Sequence, residues 1–393
     1  MSHDAVVIVS GARTPMGAFQ GALSPVPAPT LGAAAISAAL TRANLSFDTP
    51  DEVIMGCILT AGLGQGPARQ AMREAGLPDS VSAITINKLC GSGLKAVMQA
   101  HDGIKAGSIE VAVAGGMESM SNAPYLLPQA RSGYRMGHKE VKDHMFIDGL
   151  EDAETGKLMG QFAQEMADKK GYTREQMDDF AILSLQRALN AIEDGHFVKE
   201  ITPVTVKGRK QTQDIDTDEE PSLADAERIP NLRPAFAKDG TITAANASSI
   251  SDGAAAVVMM RQSHAEAKGL TYQARIISTA QHSQHPSEFT IAPVGAIEKL
   301  LTATGWQASE VDLWEINEAF AVVTMMAIDA FDLDINKVNI EGGACALGHP
   351  VGCSGARILV TLIHALQRTG GKKGIATLCI GGGEAVAVAI ELP

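Results

Sequence analysis

Val6-Val-Ile-Val-Ser-Gly-Ala-Arg-Thr-Pro15 opens the chain, and Arg275-Ile-Ile-Ser-Thr-Ala-Gln-His-Ser-Gln-His-Pro286 repeats its form: a short β-branched run, then small residues ending at proline. Outward from this pair, three further matches follow in the same order. Asp51-Glu-Val-Ile-Met-Gly56 answers Val311-Asp-Leu-Trp-Glu-Ile316. Cys90-Gly-Ser-Gly-Leu-Lys95 answers Gly352-Cys-Ser-Gly-Ala-Arg357, and Val111-Ala-Val-Ala-Gly-Gly116 answers Ala376-Thr-Leu-Cys-Ile-Gly-Gly-Gly383. Matches repeated in order are the signature of an internal duplication. Helical patterns lie between them, over 30–43, 64–76 and 91–107 in the first half and 293–304, 318–331 and 354–369 in the second. Pro293 suits a first helical turn, and Gly305 and Gly370 suit helix stops. Strands alternating with helices predict βαβ units, an α/β fold with mainly parallel pairing.

The first half is interrupted. Beyond Gly116 the alternation gives way to Ser, Asn, Pro, Tyr and Gly through about residue 150. A long helix is predicted from Thr173 to Gly195. Thr173-Arg-Glu-Gln176 fits a capping box, and Met177, Phe180, Ala181, Leu185, Ala188, Leu189 and Ile192 fall near one stripe. A polar stretch over 207–232 follows, and the strand-like Gly253-Ala-Ala-Ala-Val-Val-Met-Met260 closes the half. Residues 120–245 are therefore expected to form an inserted loop domain. Residues 1–119 with 246–269 would form one half, and 270–393 the other.

The 393 residues are 45% hydrophobic and 20% charged, the balance of a globular protein with a sizeable core. The net charge of −13 argues against nucleic acid or an anionic membrane as partner. The densest basic cluster, Lys207-Gly-Arg-Lys210, runs directly into the acidic residues of 214–220 and reads as a solvated loop. There are five cysteines, Cys57, Cys90, Cys345, Cys353 and Cys379. Their odd number, with no secretory segment ahead of the first strand, predicts free thiols and a cytoplasmic protein. No apolar run reaches the roughly 18 residues of a membrane span. No metal site is expected.

Four positions carry candidate chemistry. In Asn87-Lys-Leu-Cys90 a strand over 81–86 ends just before the cysteine and a helix begins just after it. Donors at a helix start favour the thiolate over the free thiol, whose pKa is roughly 8.5, although a lone cysteine is more often an inert core residue. His349, framed by Gly348 and Pro350, has the rigid setting of a general base; a turn-capping histidine is the alternative. Cys379 ends a strand ahead of Gly381, Gly382 and Gly383, whose N–H groups can serve an oxyanion, or it simply packs. Asn317, in Glu315-Ile-Asn-Glu-Ala-Phe320, starts a predicted helix as a site residue or as its N-cap. The duplication sets Cys90 and the His349 loop at equivalent points. Strand C-termini of such a sheet face one way, so the four can converge. Two cysteines, a histidine and an asparagine in one cleft suggest acyl transfer in two steps.

Along essentially its whole length the chain resembles the thiolase family, closest in type to the acetyl-CoA acetyltransferases. The blocks around Cys90, Asn317, His349 and Cys379 carry the resemblance, with Asn246-Ala-Ser248 and Asp252-Gly-Ala-Ala-Ala256. It implies a layered αβαβα sandwich of duplicated halves with an inserted loop domain. It implies that His349 takes the Cys90 proton, that Cys90 accepts an acyl group from acyl-CoA, and that Cys379 deprotonates a second acetyl-CoA. The product would be acetoacetyl-CoA, and the reverse reaction thiolysis. The N–H groups of Cys90 and Gly381 would serve the acyl-enzyme oxygen, and His349 with a water on Asn317 the enolate. Coenzyme A and acetyl-CoA would be substrates and products, not resident cofactors. Ser248, Met159, Ala319 and Phe320 would line the coenzyme A side.

The resemblance further implies a homotetramer. Its joining loop would be Tyr125 to Met145, with Arg131, Arg135, His138, Lys139 and Lys142, and Gln65-Gly-Pro-Ala-Arg69 would lie near a dimer contact. Three features depart from the family pattern. Leu158 in Lys157-Leu-Met-Gly160 stands where acetyl-specific members carry histidine. The region of Pro221 lacks an arginine for the nucleotide phosphate. Cys345 and Cys353 replace small residues and read as packing, like Cys57. A 3-ketoacyl-CoA thiolase of fatty-acid β-oxidation is the rival reading. A Cys-His hydrolase has no use for Cys379, and a non-catalytic acyl-CoA binding protein needs none of the set.

Overall fold

Strand alternation decides how the sheet is buried. Val6 and Ile8 pack into one apolar cluster while Val7 and Val9 pack into another on the opposite face. A strand buried on both faces must sit between two layers. The computed structural model describes residues 4–208 and 212–393; Arg209 and Lys210 of the basic cluster lie outside them. The main strands are β1 Val6–Arg13, β2 Glu52–Gly56, β3 Ser82–Ile86, β4 Val111–Ser119, β5 Ser251–Arg261, β6 Ala274–Ser283, β7 Leu313–Ile316, β8 Lys373–Ile380 and β9 Glu384–Glu391. They follow the order β7-β8-β9-β6-β1-β5-β4-β2-β3 in a ten-stranded sheet, with Gly17–Ala18 paired beside β5. Read outward from the β1–β6 contact, both sides run antiparallel, antiparallel, then parallel, and the first half adds β3 as a further strand at its edge. β1 and β6 even carry a bulge at the same place, after Ile8 and after Ile276.

The pairing is mixed, not mainly parallel. β2 lies parallel to β3 and β4, and β7 to β8. β5 and β9 run antiparallel to both their neighbours. The reason lies in the connections. β8 reaches β9 through Gly381–Gly383, too short for the crossover that parallel strands need. β5 returns from the inserted segment and slots between β1 and β4.

The longer helices are α1 Ala28–Arg42, α2 Pro67–Glu74, α3 Ser92–Ala106, α4 Met159–Lys170, α5 Arg174–Glu193, α6 Ala292–Thr304, α7 Ala321–Phe331 and α8 Ser354–Thr369. α1 and α2 cover Val7, Val53 and Val258 on one outer face. α6 and α7 cover Ala385, Ala387 and Ala389 on the other. α3 and α8 lie between the two sheet halves, against Val6 and Ile8 on one side and Val386, Val388 and Ile390 on the other. The result is five layers, αβαβα. The middle helices touch backbone to backbone at their starts. A Cβ on Gly93 would stand 2.8 Å from the Ala356 nitrogen, and one on Gly355 2.4 Å from the Leu94 nitrogen. Only glycine permits that approach.

In the inserted segment, the Thr173 side chain accepts the Gln176 N–H and caps α5. Met177, Phe180, Ala181, Leu185 and Ala188 are buried as the stripe predicts, while Leu189, at its edge, is 39% exposed. A buried charge knot ties this segment to the core. Arg13, at the end of β1, bonds Glu200 and grips Asp218 through two nitrogens at 2.6 and 2.8 Å. Thr361 of α8 donates to Glu200 at 3.1 Å. Removing the cation leaves two buried carboxylates unpaired. Arg13→Met is therefore expected to cost about 3–5 kcal/mol of stability, read as a lower denaturation midpoint. Arg13→Lys should not restore it, because an ammonium cannot span both carboxylates.

Candidate active site

The turn Asn87–Gly91 delivers Cys90 from β3 to the start of α3. Leu89 sits in the left-handed region at φ 47, a conformation that costs a non-glycine residue on the order of 1 kcal/mol or more. Side chains pin it. Asn87 Oδ1 accepts the Leu89 N–H at 2.9 Å. Ser92 Oγ accepts the Lys88 N–H at 2.8 Å and donates to the Leu89 carbonyl at 2.7 Å. The backbone N–H groups of Gly381 and of Cys90 itself favour the Cys90 thiolate. Burial nevertheless pushes the thiol above its usual value, against those two donors. The expectation of a thiol acidified by its helix start is thus corrected: desolvation outweighs the donors.

His349 lies in the loop entering α8. Its Nδ1 is 2.5 Å from Ser354 Oγ, and the Ser354 hydroxyl donates to the Pro350 carbonyl at 3.0 Å. With the hydroxyl proton so committed, Oγ accepts and Nδ1 carries the ring hydrogen. That leaves Nε2 as a lone pair, and this nitrogen has no protein partner. Burial, then the charge of Arg357, pushes His349 down to about 3. The imidazole is neutral at physiological pH, with its free lone pair available as a base. Sequence reasoning missed Ser354. Its signal was its place in the duplication, where it is the counterpart of Ser92.

Asn317 does not cap a helix. α7 begins only at Ala321, and Asn317 packs behind the imidazole with Nδ2 3.5 Å from His349 Nδ1. It is 1% exposed, and its Oδ1 has no partner. Cys379 ends β8, with its thiol held well above the ordinary value by burial and next by the neighbouring Cys90. Glu118 braces both halves. It accepts the N–H groups of Ile58, Leu59 and Gly352 at 3.0, 3.1 and 3.0 Å, and burial raises it to about 7.

Cys90, His349, Cys379 and Gly381 open on one cavity of about 370 Å³, and Ser248, Met159, Ala319 and Phe320 line it as well. Asn317 is not among its lining residues, but its side chain stands beside the His349 ring, which is. Phe146, Leu150, Phe236, Phe289 and Val351 complete an apolar lining that also includes Leu158. These were not legible in the sequence, because the inserted segment supplies several of them from far along the chain. All five cysteines are free. Cys57 and Cys353 are buried in the core, and burial lifts Cys353 to about 12. Cys345 is partly buried, its thiol against the Glu318 carbonyl at 3.7 Å. Among the described residues no group of three or more His, Cys, Asp or Glu is placed to hold a metal ion.

The thiolase N-terminal domain matches residues 6–263, and the thiolase C-terminal domain matches residues 270–392. The chain belongs to the thiolase family. Acetyl-CoA acetyltransferases of Pseudomonas aeruginosa and Escherichia coli are each 50% identical to it over 387 residues, 98% of either chain. The crystal structure of the Bacillus anthracis acetyl-CoA acetyltransferase superposes with a TM-score of 0.97 at 42% identity, covering 99% of both chains. A thiolase from Ascaris suum in complex with coenzyme A gives 0.94 at 40% identity, covering 99% of this chain and 100% of that one.

In this thiolase Ser354 holds the tautomer that exposes the lone pair. Ser354→Ala is expected to slow Cys90 alkylation by iodoacetamide at neutral pH by about tenfold or more, a modest part of a general base's contribution. Ser354→Thr, which keeps the hydroxyl, should retain most of the rate.

Proposed function

We propose that this thiolase is an acetyl-CoA C-acetyltransferase, condensing two acetyl-CoA to acetoacetyl-CoA and coenzyme A, reversibly and by a ping-pong route through acyl-Cys90. One observation carries the reading: two thiols and a neutral imidazole with a free Nε2 share one apolar cavity with the backbone of Gly381. Thiol and imidazole are both neutral at rest, so the proton moves as attack begins. His349 takes it, the Cys90 sulfur adds to the thioester carbonyl, and coenzyme A leaves as a thiol carrying the Cys379 proton, so that Cys379 is left as a thiolate and His349 keeps the proton from Cys90. The N–H groups of Cys90 and Gly381 hold the developing oxyanion, each donor contributing roughly 3–4 kcal/mol. Cys379 then removes a proton from the methyl carbon of a second acetyl-CoA. A thiol of raised pKa is, once ionised, the stronger base for so weak a carbon acid. The carbanion attacks the acyl carbonyl and displaces the Cys90 thiolate, which regains its proton from His349; the His349 ring and a water on Asn317 stabilise the enolate oxygen. Ser248, Met159, Ala319 and Phe320 hold the pantetheine arm.

Three coarser points go with this. We read 1–119 with 246–269 and 270–393 as the two halves around a loop domain at 120–245. The exposed Tyr125, Leu127, Met136 and Val141, on the loop with Arg131, Arg135, His138, Lys139 and Lys142, support a homotetramer. Among the described residues no helix is long and apolar enough to cross a membrane, and free cysteines fit a cytoplasmic enzyme.

A second reading has an observation of its own. Leu158, Phe146 and Leu150 make the cavity wall apolar, which favours longer 3-ketoacyl chains as in fatty-acid β-oxidation. Thiolysis rates with acetoacetyl-CoA and with a long-chain 3-ketoacyl-CoA separate the two, and a strong preference for the long chain defeats the acetyl assignment. The central test is mass spectrometry after incubation with acetyl-CoA. An acetyl adduct on Cys90, absent in Cys90→Ser, is expected; an unmodified Cys90 overturns the covalent route.

A further inference from the structure

The two N–H groups that favour the Cys90 thiolate come from different loops, and Cys90 and Gly381 line the same cavity. One belongs to the Asn87–Gly91 turn of the first half, the other to the glycine turn between β8 and β9 of the second. The first contains the left-handed Leu89. The second is three successive glycines, with Gly382 and Gly383 also at positive φ. The loops come close at one point, where a Cβ added to Gly381 would stand 3.3 Å from a Leu89 methyl. A single charged contact also spans them. Lys88 Nζ pairs with Glu384 Oε2. Each partner is anchored at its own end. The Lys88 N–H is held by Ser92, and its carbonyl accepts the Gly91 N–H at 3.1 Å. Glu384 pairs across the glycine turn with Ile380, and Ser283 donates to its second oxygen at 2.9 Å.

We propose that Lys88 and Glu384 are positioning residues, an ion-pair clamp that sets the spacing of the Cys90 and Gly381 N–H groups around the reacting sulfur. The clamp joins residues two before the first donor and three after the second, so its length is transmitted through very little backbone. Neither Lys88 nor Glu384 lines the cavity. Both side chains are a little over a quarter exposed, at 28% and 29%, so the pair is screened by salt. The inference rests on the reading of Cys90 as the acyl-carrying nucleophile.

The test compares Glu384→Gln, Lys88→Met and the reversed pair Lys88→Glu/Glu384→Lys. Two readouts apply: thiolysis of acetoacetyl-CoA and the pH profile of Cys90 alkylation by iodoacetamide. Each single variant is expected to lower kcat about threefold, the size of one partly exposed ion pair, with KM little changed. Each should also raise the apparent pKa of alkylation, because misplaced donors stabilise the thiolate less. The reversed pair should recover most of both losses. Direct charge effects would act differently: losing the lysine would raise that pKa and losing the glutamate would lower it. Shifts of opposite sign therefore overturn the clamp, as does a reversed pair no better than the worse single variant. Alkylation is read on the free enzyme and needs no acyl transfer. Failure of the clamp is thus distinct from failure of the nucleophile assignment, which the acetyl adduct reports.

Discussion

The backbone contact between the starts of the two middle helices governs the rest of the structure. Gly93 and Gly355 each face the opposite helix at a distance where a Cβ cannot fit. Burying two helices between two sheet halves is favourable in apolar area, but it leaves no room for side chains at the crossing. Because the contact lies at the helix N-termini, it brings together the loops that enter them. Those loops carry Cys90 and His349. The duplicated Ser-Gly pair serves both. Ser92 pins the turn that presents the thiol, and Ser354 fixes the imidazole tautomer. A fold made by duplication thus builds an asymmetric pair of reacting groups from equivalent positions.

Burial sets the electrostatics of this site more than charge does. Cys90 and Cys379 are both raised, and His349 is lowered, with desolvation the largest cause each time. A neutral resting site needs no counter-ions within the cavity, which leaves its walls apolar for acyl and pantetheine groups. The charges that do exist are placed behind it. Arg13 joins Glu200 and Asp218, and Arg357 sits with Glu315 at 3.4 Å. The Arg13 pairs fasten the inserted segment to the core, the Arg357 pair lies within the second half, and none of these residues lines the cavity.

Much of this was legible in the residues. Helices over 92–106 and 354–369 differ by no more than a residue at either end from the patterns that predicted them, because Gly107 and Gly370 are strong local stops. The Thr173 cap is equally local. For Asn317 the sequence left two readings, a site residue or an N-cap; the cap falls because the helix waits until Ala321, and the side chain instead packs against the His349 imidazole.

Local pattern therefore determined the duplication, the alternation of strand and helix, the helix ends, and the residue types able to carry acyl transfer. These follow from side-chain periodicity and backbone preference, which act over a few residues. Tertiary structure alone decided the direction of β5 and β9, the depth at which Cys90 lies, the role of Ser354, and the union of Lys88 with Glu384. Each of these depends on groups far apart in the chain and on how much water their packing removes, and neither quantity is written in any short stretch of sequence.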